Sequence, residues 1–324
     1  MTWRRPPRWW PLALGAICVL TVVAVLVTTW SPVVAGHPAY LVTLLVVAVG
    51  GSVAVAVATL TRRSASTGDA SSGARSRGRA WAVWTGRVVA TIAVVVLVGV
   101  LWWLRPIGAT DVALDALQSG NGVVVEQSRT RIELRPTGGI DPTGLVFYPG
   151  AKVDARAYAA ILRPIAEAGH LVVIVKVPFG VALLDVDAAS SVIDAEPEVD
   201  RWVVAGHSLG GTAAAQYASD HPDDVAGLVL WASYPADRIA DDDLAVLSVS
   251  GTEDGLTTPA DIEDSRADLP PGTEFVAVDG AVHAQFGDYG PQRRDGTPTV
   301  SRAEGQRRIT AATLAFLDRL DAAA

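Results

Sequence analysis

The sequence predicts an α/β protein: a doubly wound, mainly parallel sheet preceded by three segments long enough to cross a membrane. Three observations predict it. Before about residue 105 the apolar residues gather in three uncharged runs. From about residue 120, short β-rich runs alternate with alanine-rich helical stretches, the pattern of a sheet with helices on both faces. Between residues 206 and 211 a glycine-rich turn joins one such strand to a helix.

The first apolar run, 11–30, matches the ~30 Å hydrocarbon core at ~1.5 Å rise per residue. A second covers 39–61 and a third about 87–104, bounded by Arg87 and Arg105. Tryptophans cluster at their ends, where aromatic belts sit in bilayers. The first run is long for the apolar part of a signal peptide, and two more follow it, so it is read as retained. Residues 1–105 thus form a membrane region. Within it, 62–80 is a Ser/Gly/Arg linker with too little apolar surface to fold.

Charge divides with hydropathy. The chain has 26 basic and 34 acidic residues, a net charge of −8. Residues 1–104 carry nine arginines against Asp69 alone, so 105–324 holds the whole acidic excess. An acidic domain lacks the clustered cations that nucleic acids require, so no nucleic-acid partner is expected. Arg4, Arg5 and Arg8 precede the first run, six arginines lie between the second and third, and 31–38 has none. Positive loops stay in the cytoplasm. The N-terminus is therefore expected inside and the domain 106–324 outside, in a multi-pass protein of the cell membrane whose partner is the lipid bilayer. The lone Cys18 cannot form an internal disulfide.

Within the domain, 122–127 and 131–136 read as an opening antiparallel pair. The run 144–148 is a buried strand, and 154–168 a helix stopped by Gly169. Residues 170–177 form the next strand, 185–195 a helix, 201–205 a strand and 212–219 a helix. Strands follow at 225–232, 244–250 and 274–278, and 303–320 is a closing amphipathic helix. No internal repeat is visible.

The turn Gly206-His207-Ser208-Leu209-Gly210-Gly211 stands where a strand enters a helix, the context of a nucleophile elbow. A serine hydroxyl needs a base to take its proton, and the base needs an orienting carboxylate. Two histidines follow Ser208. His221 ends the elbow helix and points away, whereas His283 follows the last strand, where ligands gather in open α/β sheets. The acid is expected in the turn after the preceding strand, Ser250-Gly251-Thr252-Glu253-Asp254-Gly255. Asp254 is favoured, with Glu253 and then Asp237 as alternatives. The Leu209 amide is one expected oxyanion donor. His207 reads as a packing residue.

These motifs, with Phe147-Tyr148-Pro149-Gly150-Ala151 and the segment 283–292, resemble the α/β-hydrolase superfamily, in particular its small, lidless, dienelactone-hydrolase-like branch. The resemblance covers about 120–320 and none of the membrane part. In that superfamily the turn after the third strand usually reads His-Gly-x, and x gives a second oxyanion N–H. This chain has proline in place of histidine, and the resemblance makes Ala151 the donor.

Many members insert a helical cap after the strand that follows the elbow helix. Here residues 231–243 leave no room for one. An open site is expected, walled by Phe179, Trp231, Tyr234, Phe286 and Tyr289. Such a site suits a small ester or lactone, cleaved through an acyl-enzyme by Ser208, His283 and Asp254. A thioesterase, peptidase or envelope acyltransferase would use the same triad, and a silent binding protein the same fold. No Gly-x-Gly-x-x-Gly follows a strand, and there is no Walker loop or His-x-x-x-His pair, so no cofactor or metal is expected.

Overall fold

In the computed structural model, residues 9–65, 77–239 and 243–323 are described. The chain divides into two compact units, one of residues 1–33 and 39–105 and the other of 34–38 and 106–324. Nearly all of helices α1 (Trp10–Ala35) and α2 (Pro38–Ala65), and all of α3 (Arg77–Trp103), lie in the first. By length and composition, Trp10–Ala35, Pro38–Thr61 and Trp81–Trp103 can each cross a membrane. Helix α1 runs past the expected end at residue 30 and kinks at Thr29. The cause is Pro32, which has no N–H for the Thr28 carbonyl one turn back. The ends of the expected 62–80 linker are helical, because α2 continues to Ala65 and α3 begins at Arg77. Residues 66–76 of that linker lie outside the described residues.

The second unit opens with the short helix α4 (Asp111–Asp115). Its sheet contains eight strands: β1 (Val123–Gln127), β2 (Arg131–Pro136), β3 (Thr143–Tyr148), β4 (Val172–Val175), β5 (Arg201–His207), β6 (Gly227–Trp231), β7 (Ala245–Gly251) and β8 (Glu274–Val278). The spatial order is β1-β2-β4-β3-β5-β6-β7-β8. The pairs β1–β2 and β2–β4 are antiparallel and the rest parallel. Helices α5 (Ala159–Glu167), α6 (Ser190–Ile193), α7 (Leu209–Asp220), α8 (Pro259–Asp264) and α9 (Arg302–Ala322) complete the unit.

Strands buried on both faces are written as unbroken apolar runs, because no face remains for polar residues. β3 and β4 are buried at every position. Side chains alternate between faces. Leu145 and Phe147 of β3 pack with Ile161, Leu162 and Ile165 of α5 and Ile309, Phe316 and Leu317 of α9. Val146 and Tyr148 pack on the other face with Ala213, Ala214 and Tyr217 of α7. The parallel strands β3 to β8 therefore point their C-terminal ends to one edge of the sheet, where the turns after β3, β5, β7 and β8 meet.

Two expected helices differ from the expectation. Residues 155–158 form a tight turn before α5, with Asp154 capping it by accepting from the Arg156 N–H at 3.0 Å. The expected helix over 185–195 is one short turn, Val186–Ala189, and then α6. Helix α8 has no sequence-based counterpart. Among the described residues between β6 and β7 there is no helix, hence no cap.

Candidate active site

Ser208 lies between the end of β5 and the start of α7, with φ 53° and ψ −127°. That conformation is strained for a residue with a Cβ, by about 1–3 kcal/mol. The surroundings fix it. The Ser208 N–H donates to the Trp231 carbonyl at 3.0 Å, and the Ser208 carbonyl accepts from Gly211 N at 2.9 Å. The Ser233 hydroxyl also donates to that carbonyl, at 2.7 Å. A Cβ on Gly206 would lie 2.3 Å from the Gly210 backbone, and one on Gly210 2.2 Å from the Tyr148 carbonyl oxygen. No side chain fits either position, so the motif's flanking glycines are a packing requirement.

His283 opens a single helical turn after β8 and is buried. Its Nδ1 is 2.9 Å from Asp254 Oδ2. Asp254 is buried as well, and its Oδ1 accepts the N–H groups of Leu256 and Thr257, each at 2.8 Å. Glu253 is exposed. Among the described residues Asp237 makes no hydrogen bond to His283, whose Nδ1 faces Asp254, and His221 pairs instead with Asp187 at 3.1 Å. The Thr257 hydroxyl ties the turn after β7 to the Ala232 carbonyl at 2.9 Å, one residue from Ser233. Sequence reasoning did not find Ser233 or Thr257. Among the described residues no hydrogen bond joins the Ser208 hydroxyl to His283. Such contacts are often long before substrate binds. The Leu209 and Ala151 amides donate to no protein acceptor among the described residues, which leaves both N–H groups for a ligand.

His207, next in sequence to Ser208, is buried. The Gly150 N–H donates to the Tyr158 hydroxyl, which in turn lies 2.9 Å from His207 Nδ1. With the Tyr158 proton directed at Nδ1, the neutral His207 ring carries its hydrogen on Nε2. Among the described residues that Nε2 makes no hydrogen bond. The Phe286 ring stacks on His207 at 5.8 Å and the Tyr289 ring lies at 6.1 Å. Burial, reinforced by His283 4.5 Å away, pushes the His207 pKa well below the ordinary 6.5. A group with a depressed folded-state pKa resists protonation only while folded. Stability is then lost as pH falls below the unfolded value. Chemical denaturation of the full chain in detergent, from about pH 8 to about pH 5, should show the midpoint falling with pH. His207→Gln keeps an acceptor for Tyr158 and should flatten that dependence. An unchanged slope would count against this reading of His207.

The expected walls divide. Trp231 and Phe286 are fully buried. Trp231 Nε1–H donates to the Thr313 hydroxyl at 3.0 Å, and its ring packs on Phe147 at 5.0 Å. Both are core side chains that back the site, which corrects the expectation that they line it. Tyr289 is also nearly buried, and its hydroxyl donates to Gln292. Tyr234 is 40% exposed. Phe179 is partly exposed, in a turn at φ 57°.

One group of side chains has metal-ligand character. Asp141, His170 and Asp321 bring their ligand atoms within 4.8 Å of one another. They lie at the N-terminal ends of β3 and β4, the edge of the sheet opposite Ser208. His170 Nδ1 is engaged by the Thr143 carbonyl at 2.9 Å, and Asp321 accepts from the Thr143 hydroxyl at 2.5 Å. The Arg201 guanidinium, 3.5 Å from Asp321, already supplies positive charge. These contacts fasten the end of α9 to the sheet.

The model of the alpha/beta hydrolase family matches residues 144–307. A Mycobacterium phage D29 protein described as a non-heme haloperoxidase is 33% identical over 95 residues, 26% of this chain. The match spans about a third, 34%, of that relative's length. Among solved structures, Est1E from Butyrivibrio proteoclasticus superposes with TM-score 0.45 at 14% identity, covering 62% of this chain and 99% of that one. TT1662 from Thermus thermophilus gives TM-score 0.46 at 16% identity, covering 61% and 98%. With the family match running from β3 through the elbow, both loops and into α9, the chain belongs to the alpha/beta hydrolase family.

Proposed function

We propose that this protein is a membrane-anchored serine hydrolase that cleaves a carboxylic ester or lactone through Ser208, His283 and Asp254. The observation that carries the reading is the buried 2.9 Å contact between His283 Nδ1 and Asp254 Oδ2, beside a serine held in a strained turn. Asp254 holds the proton on Nδ1, so Nε2 is free to take the Ser208 proton. Ser208 Oγ attacks the ester carbonyl, and the Leu209 and Ala151 N–H groups receive the oxyanion. Each such donor contributes about 3 kcal/mol to the transition state. His283 then returns the proton to the departing alcohol, and water, activated by the same base, releases the acid. Phe179 and Tyr234 are the remaining wall candidates. The absence of a helical cap among the described residues supports a small, open substrate.

The reading is tested by treating the full chain in detergent with a fluorophosphonate and mapping the modified peptide. The label is expected on Ser208. Labelling elsewhere, or none on a protein that turns over p-nitrophenyl esters, would refute it.

The arginine pattern supports a cytoplasmic N-terminus, three crossings and an extracytoplasmic domain. A C-terminal fusion to a phosphatase active only outside the cytoplasm should give signal. Signal from a reporter active only inside would reverse the assignment.

A further inference from the structure

The triad reading needs two separate loops, after β7 and after β8, to be held in register. Residues 291–298 lie against both. Asp295 Oδ1 accepts the N–H of His283 at 3.1 Å, of Gly255 at 3.3 Å and of its own neighbour Gly296 at 2.8 Å. Its Oδ2 accepts the N–H of Ala284 at 2.8 Å. Gly255 follows Asp254 directly, so one carboxylate grips the backbone beside the acid and at the base. An ionised carboxylate is an acceptor with about four lone-pair sites, and its bonds to N–H groups are of the strong, charge-assisted kind.

The segment is built for this role. Arg294, immediately before Asp295, has φ 69°, a left-handed conformation uncommon for residues with a Cβ. The backbone then touches the acid loop: a Cβ on Gly296 would lie 1.7 Å from the Glu253 carbonyl oxygen. From the other side Arg302 donates to the carbonyl of Ala284 at 2.5 Å and to that of Gly287. The turn that carries His283 is thus held by an anion at its N–H groups and a cation at its carbonyls. A cap confined to its own loop would bond only Gly296, whereas Asp295 reaches partners 11, 12 and 40 residues away in the chain.

We propose that Asp295 is a positioning residue for the reaction: it sets the His283–Asp254 contact by clamping the two loops that bear them. This rests on the triad reading of the proposed function. The clamp acts through backbone and need not touch substrate, so its loss should slow the chemical step and spare binding. A displacement of the base by about 1 Å can cost about 100-fold.

The test uses the full chain in detergent with Asp295→Ala, Asp295→Asn and Ser208→Ala. Turnover of p-nitrophenyl acetate gives kcat and KM. Fluorophosphonate titration gives the number of reactive sites and the rate at each. For Asp295→Ala, kcat should fall about 100-fold, with KM within about twofold. The number of reactive sites should be unchanged and the rate per site reduced in step with kcat. Asp295→Asn keeps one acceptor and should fall between. A purely structural role would lower the number of sites and leave the rate per site at the wild-type value, which would overturn the proposal. So would a wild-type kcat for Asp295→Ala. If the alanine variant does not fold, the asparagine variant decides by the same criterion. Full activity in Ser208→Ala would instead sink the triad reading itself.

Discussion

Ser208→Ala should lower kcat for p-nitrophenyl esters by about 10⁶-fold, the scale seen when the serine nucleophile is removed from a well-characterised triad protease. Fluorophosphonate labelling should disappear with it. The magnitude follows from what is lost. Without Oγ there is no covalent intermediate, and His283 has no adjacent hydroxyl to deprotonate. The Leu209 and Ala151 amides remain, so a small residual rate over water is expected. KM should change little, because the hydroxyl contributes mainly in the transition state. The variant should also fold. The contacts that hold the elbow are backbone bonds from Ser208 N–H and to Ser208 C=O, and alanine retains both. Alanine meets the same strain at φ 53° as serine. A stable variant with unchanged kcat and unchanged labelling would remove Ser208 from the chemistry.

Much of this architecture was legible because its physics is local. A strand buried on both faces must be an apolar run, and Val172–Val175 reads Val-Val-Ile-Val. A helix crossing a bilayer must be a long uncharged run. The elbow is legible because Gly206 and Gly210 meet backbone on both sides, which forces the glycines. Other local signals are short or ambiguous. Helix α8 is only six residues, yet it carries a capping box between Thr258 and Asp261 and a proline at its first turn. Aromatic type alone suggests a wall position for Trp231. The alternation along β6 sends Val229 and Trp231 to the α9 side, into the core. Other features were beyond local reading. The Tyr158–His207 contact spans 49 residues and the Ser233–Ser208 contact 25. Asp295 looks in sequence like one more loop acid. Its role appears only when the fold brings the turns after β7 and β8 together around it.

Asp254→Asn should lower kcat by about 10⁴-fold, the scale of the same change in another triad. The local geometry dictates how. Oδ1 accepts two N–H groups, from Leu256 and Thr257, at 2.8 Å each. An asparagine must keep its oxygen there, because its NH₂ would face two donors. The NH₂ is then forced onto the position of Oδ2, facing His283 Nδ1, 2.9 Å away in the native protein. A donor at that position holds the imidazole with its proton on Nε2. The nitrogen that should take the Ser208 proton is then already occupied, and the base is disabled with its ring in place. Because the acid turn keeps both backbone bonds, the variant should unfold close to the wild type, so the kcat loss reports the tautomer. KM should stay within about twofold. Glu253→Gln is the matched control: Glu253 is exposed, so its kcat should also remain within about twofold of the wild type. If Glu253→Gln proved the more damaging of the two, the acid would be reassigned to Glu253. If neither variant lost activity, His283 would be oriented by something other than a carboxylate, and Asp254 would be a loop-forming residue only.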